Sequence, residues 1–111
     1  MIPGEVIRAF RKSALRLKVL KYINSQYPNT TYLSQIAYAI NADILNVLGC
    51  VRGFSGRKEK YPRYRNDMSL MGLGLVEPVE KGDHTYYRIK DKEMADEIIL
   101  MFPMKYMAVE I

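Results

Sequence analysis

One cysteine and one histidine occur in the 111 residues. Cys50 alone makes no internal disulfide, and with His84 as its sole companion it builds no Cys/His zinc cage. No run of about 18 apolar residues occurs, so no segment reads as a membrane span. The first residues lack the basic, apolar and small-residue blocks of an export signal, and the expected location is the cytoplasm. Catalytic signatures are missing too: there is no G-x-S-x-G, P-loop or H-E-x-x-H, and no G-x-G-x-x-G with an acidic partner. Gly53-Phe54-Ser55-Gly56-Arg57-Lys58 sets a serine between glycines beside two cations, but its spacing is not that of a P-loop. Enzymatic activity is not expected, and no cofactor, metal or small-molecule ligand is implied.

What is present amounts to one domain. A 12.9 kDa chain with 49% apolar residues buries about two-thirds of the surface its unfolded form exposes, enough for a single core. The chain reads as an N-terminal arm (1–12), a core (13–102) and an apolar tail (103–111). Lysine and arginine total 17 against 12 acidic residues, a net charge of +5. The excess is lopsided: residues 1–65 carry 12 basic and 3 acidic side chains, whereas 66–111 carry 5 and 9. Within 52–65, Arg52, Arg57, Lys58, Lys60, Arg63 and Arg65 face only Glu59, with Tyr61 and Tyr64 interleaved. Such a half attracts phosphate, although a solvated basic loop has the same composition.

Periodicity places the elements. Residues 5–26 lack an interior proline or glycine and predict a helix. Its apolar positions change sides, however. Val6, Ile7, Phe10, Ala14 and Leu17 share one stripe, and Leu15, Val19, Leu20, Ile23 and Tyr27 share another roughly opposite. Either the first stretch meets a second subunit, or the chain breaks near Ser13 and the arm folds back on its own domain. Pro28 and Asn29 interrupt, and Thr30 or Thr31 is placed to cap a helix over 31–40 with Leu33, Ile36, Ala37 and Ile40 on one face. Asn41 tolerates the left-handed backbone of a sharp exit, and Asp43 is placed to cap a second helix with Ile44, Val47, Leu48 and Val51 inward. Two short helices joined so tightly must cross steeply, as in a helix-turn-helix.

After the interruption at 53–56, Pro62 suits the start of a helix carrying Tyr64, Met68, Met71 and Leu75 and stopping at Gly72 and Gly74. Residues 75–79 and 85–89 predict a hairpin, with turn chemistry at Gly82-Asp83. Asp91 is placed to cap a last helix with Met94, Ile98 and Met101 inward, stopped by Pro103.

This order of helices and hairpin, with Leu73-Gly74-Leu75-Val76-Glu77 leading into the first strand, resembles the winged helix-turn-helix family over most of residues 13–102. Ala37, Ile40, Asn41 with Ala42, Val47 and Cys50 stand where that family places its small, apolar, turn and anchor residues; Asn41 replaces the commoner glycine. The resemblance implies a mostly α fold with a small β-hairpin, similar to small archaeal and bacterial transcriptional regulators. It also implies that the helix after the turn docks in the major groove and the hairpin wing lies along the backbone.

Candidate contacts follow. Asn46, Gly49 and Arg52 face away from the apolar side of residues 43–52. Asparagine suits adenine and arginine guanine, at roughly 1–3 kcal/mol of discrimination each, and Gly49 permits close approach or is merely a weak point in the helix. Thr30, Thr31 and Tyr32 at a helix start are able to hold a phosphate, though capping explains the threonines equally. Lys81, His84 and Arg88 on the wing are placed for phosphate or minor-groove contact, or are ordinary exposed residues. Either residues 43–52 read the groove while the basic insert with Arg57, Lys58 and Lys60 grips phosphates, or a helix over 62–72 carries Arg63, Arg65, Asn66 and Ser69 to it. Buried structural packing is the expectation for Cys50.

The expected function is sequence-specific binding of double-stranded DNA by a homodimeric transcriptional regulator, paired through the N-terminal helix and the C-terminal tail. The alternative is a winged-helix protein-interaction module in a larger nucleic-acid-associated assembly. RNA binding is a lesser variant, because no aromatic-rich strand platform is evident.

Overall fold

The structure, a computed structural model, describes residues 2–53 and 68–102. Among them five helices and a two-stranded antiparallel sheet follow in the order α1 (Gly4–Arg11), α2 (Ala14–Gln26), α3 (Leu33–Ile40), α4 (Ile44–Arg52), β1 (Val76–Lys81), β2 (His84–Ile89) and α5 (Lys92–Met101). The result is a mostly helical fold with a small β-hairpin. Helix α2 is its axis, packing against α1, α3, α4, α5 and β2.

The change of stripe within residues 5–26 has a local cause. Ser13 adopts an extended backbone and its side chain accepts a hydrogen bond from the Arg16 amide at 3.1 Å, so α1 stops and α2 starts afresh. The bend turns both stripes toward one core. Val6, Ala9 and Phe10 of α1 are buried together with Leu17, Val19, Leu20 and Ile23 of α2. The Phe10 ring lies 6.3 Å from that of Phe102, just beyond α5. Of the two readings open from the sequence, the arm folds back on its own domain. Of the first stripe, Val6, Phe10 and Leu17 are buried within the chain, Ile7 is half-buried and Ala14 is exposed.

Thr31 does not open α3. It exchanges two backbone hydrogen bonds with Tyr87, of 2.8 and 2.6 Å, as an isolated bridge on the outer side of β2. The helix begins at Leu33 instead, with Tyr32 at the cap position and no side-chain cap bond. Its exit is as expected. Asn41 sits at φ 55°, ψ 55°, and the amides of Asn41 and Ala42 return to the carbonyls of Tyr38 and Ala37 at 3.3 and 2.9 Å. This pair of bonds, one short and one long in sequence, is the Schellman arrangement. Asp43 then caps α4 by accepting from the Leu45 amide at 2.7 Å. Val47, Cys50 and Val51 are buried, but Ile44, expected inward, is 45% exposed because the first turn of α4 projects past the core.

Residues 68–75 run as turns rather than as the end of a long helix, and residues 54–67 lie outside the described residues. The amides of Leu70 and Met71 donate to the carbonyls of Cys50 and Val51 at 2.8 and 3.0 Å, fixing this segment to the end of α4. Gly74, at φ +78°, closes a second Schellman arrangement through Gly74 to Met71 and Leu75 to Leu70.

The hairpin is tighter than expected. Strands β1 and β2 pair from Val76↔Ile89 to Lys81↔His84, leaving Gly82-Asp83 as a two-residue turn. Gly82 has φ +62° and Asp83 does not share the positive sign, the pattern of a II′ turn. Pro78, which has no amide hydrogen to donate, lies on β1, away from the side of β2 that pairs with Thr31. Asp91 caps α5 through the Met94 amide at 3.0 Å. Ala95 and Ile98 are buried, while Met101, expected inward, is 46% exposed. Pro103 and the apolar tail lie outside the described residues.

Candidate nucleic-acid interface

The two helices flanking Asn41 and the hairpin are joined by polar contacts. Arg52, in the last turn of α4, donates from Nη1 to the hydroxyl of buried Tyr87 on β2 at 3.1 Å. That bond raises the already high pKa of the guanidinium. The same Tyr87 pairs through its backbone with Thr31 ahead of α3. One residue of the hairpin thus sets the position of both helices.

The outward side of α4 agrees with the sequence at Asn46 and Arg52, both exposed, and Gly49 is partly covered. It also holds residues that periodicity missed. Leu45 is 66% exposed, and Tyr38, on α3, is 90% exposed. A signal for both was present: neither belongs to the apolar spacing of its helix, yet each is large and hydrophobic. Between Tyr32 and Gly53 the only formal charges are Asp43 and Arg52. This stretch of chain is thus nearly uncharged, and one of its two charges already caps a helix.

Thr31 is a correction. It is 0% exposed, and its hydroxyl donates to Gln35 Oε1 at 2.8 Å, so strand pairing has drawn it inside and no phosphate reaches it. Tyr32 beside it is 45% exposed, its ring edge-on to Tyr86 at 5.9 Å and 89°. On the hairpin, Lys81 and His84 are exposed at the turn, with the Lys81 ammonium 5.2 Å from the centre of the Tyr86 ring. Arg88 is committed to a cross-strand ion pair, Nε to Glu77 Oε2 at 2.7 Å, which largely offsets its charge. Arg57, Lys58, Lys60, Arg63, Arg65 and Asn66 lie outside the described residues; Ser69, on the alternative reading segment, is buried.

Beneath this surface, Cys50 is 7% exposed. Burial pushes its thiol up, and the nearby Arg16 guanidinium and Ser13 moderate the effect. Arg16 is held down by desolvation; it donates to the Ala9 carbonyl, and its buried Nε has no hydrogen-bond partner. Among the described residues no helix is long and apolar enough to cross a membrane.

The chain is similar to an uncharacterized protein of Methanocaldococcus jannaschii, 42% identical over 86 residues that cover 78% of this chain and 72% of that protein. Residues 6–98 match the model of a family described as EarA-like.

Proposed function

The chain belongs to the EarA-like family, and from its helix pair and hairpin we propose that it binds double-stranded DNA sequence-specifically as a transcriptional regulator. The observation that carries this reading is the outward face of α4, with Asn46 and Arg52 exposed, braced on the hairpin through Arg52 and Tyr87. In this reading α4 enters the major groove and α3 crosses above it. Lys81 and His84 at the hairpin tip meet the backbone, and the basic insert containing Arg57, Lys58 and Lys60 adds phosphate contacts. Two copies would set their α4 helices about 34 Å apart, one turn of duplex. Such a pair would meet through the outward side of the N-terminal helix and the apolar C-terminal tail, residues 103–111.

The test is fluorescence anisotropy of a labelled random duplex titrated at several salt concentrations. For about five phosphate contacts, affinity should fall by roughly two to three orders of magnitude between about 50 and 200 mM salt. Reversing the charge of Arg57, Lys58 and Lys60 should flatten that slope. Selection from a genomic fragment pool should then enrich a common site. No binding at low salt, or binding without salt dependence, would overturn the reading.

A further inference from the structure

We infer that the first turn of α4 selects A·T pairs, with Leu45 and Ile44 against thymine methyl groups and Asn46 on adenine. This rests on the DNA-binding reading above and names what that surface recognises. Leu45 and Ile44 are consecutive, 66% and 45% exposed, and Asn46 follows them in the open. Exposed aliphatic carbon gains roughly 25 cal/mol for each Å² removed from water. In the major groove the thymine 5-methyl group is the natural apolar counterpart. An asparagine amide matches adenine N6 and N7 bidentately.

The complementary observation is what the first turns of α4 do not offer. Guanine is most often met by arginine or lysine. The one cation of α4, Arg52, stands eight residues beyond Ile44, about 12 Å along the axis at 1.5 Å per residue. It is also engaged with the Tyr87 hydroxyl. The one acidic residue in the sequence between Tyr32 and Gly53, Asp43, accepts from the Leu45 amide. A reading stretch with so few charges has a further consequence: base discrimination and counterion release belong to different residues. Removing the Leu45 side chain should alter preference while leaving the salt slope intact.

The experiment uses the full chain and alternating duplexes of equal length in A·T, A·U, G·C and G·5-methylcytosine, read by anisotropy over a series of salt concentrations and compared with one another at the same salt. The wild type should bind A·T roughly tenfold or more tighter than G·C, and several-fold tighter than A·U, which differs only by the methyl group. Cytosine methylation should recover part of the loss. Leu45→Ala should erase the difference between A·T and A·U with its salt slope unchanged. Asn46→Ala should weaken A·T and A·U together and keep the methyl difference. Equal affinity for A·T and A·U, or methyl discrimination surviving in Leu45→Ala, would overturn the inference. A change of oligomeric state in Leu45→Ala would assign this turn to a protein contact, with the same result. Tight, salt-dependent binding to all four duplexes alike would refute the A·T preference and leave DNA binding standing. Failure to bind any of them at low salt would refute both.

Discussion

Asn41 is the residue on which the approach of α3 to α4 turns. At φ 55° an L-residue with an ordinary side chain pays a steric penalty that glycine avoids and asparagine reduces. Asn41→Ala is expected to destabilise the chain by roughly 1–2 kcal/mol, and Asn41→Gly to leave it near the wild type, in urea unfolding with unchanged slope. Equal losses in both variants would place the role of Asn41 in its amide rather than its backbone. Residue by residue, the sequence was most legible where a side chain bonds within its own neighbourhood. Asp43, Asp91, Asn41 and Gly82 were readable for that reason: each partner lies within a few positions. Thr31 was not, because the Tyr87 backbone that draws it into the sheet is remote in sequence. Leu45 was passed over for a different reason. Periodicity searches for what is buried, and an exposed leucine does not register.

Among the elements, α1 is the one whose placement the sequence left open between two readings. If its stripe is structural within one chain, Phe10→Ala should cost about 3–5 kcal/mol by opening a cavity against Phe102. The midpoint shift should not depend on protein concentration. A concentration-dependent midpoint in the wild type that vanishes in Phe10→Ala would return this stripe to a subunit interface. Helices α2 and α5 are tied by a polar cluster: Asn24 Nδ2 and Lys92 Nζ donate to Asp96 Oδ1 at 3.0 and 2.9 Å, and Lys92 also reaches Asn24 Oδ1 at 3.0 Å. Donation from Lys92, and then from Asn24, holds the Asp96 carboxyl below its ordinary 3.8. A lowered folded-state pKa gives stability that is present above the unfolded value and lost as pH falls through the folded one. Asp96→Asn should therefore melt below the wild type at neutral pH, and the gap should close as acidification carries the pH through the lowered folded-state pKa. A gap independent of pH would deny the carboxylate its part. Helix and strand types were readable from repeat spacing, which is local. The break at Ser13 is not settled by local sequence because the packing of Phe10 against Phe102 joins opposite ends of the described chain. Ile44 and Met101 were placed inward by extending a repeat into the first and last turns of helices, where the core no longer covers it.

At the scale of the molecule, charge is split along the chain, but of the twelve basic residues in the cationic half only Arg52 lies on α3 or α4. The cationic half, residues 1–65, contains α1 to α4, and the acidic half, 66–111, contains the hairpin and α5. The order of helices followed by a hairpin was legible in the sequence. The bracing of α4 on the hairpin by Arg52 and Tyr87 was not, since it is a single hydrogen bond across 35 residues. DNA binding through α4 and the hairpin tip is most directly tested by amide chemical-shift mapping of the labelled chain as duplex is added at low salt. The account requires the largest shifts or broadening at residues 43–49 and 81–84, with the α5 amides around Glu93 and Leu100 nearly unmoved. Perturbation centred on α5, or none at any duplex concentration, would contradict it.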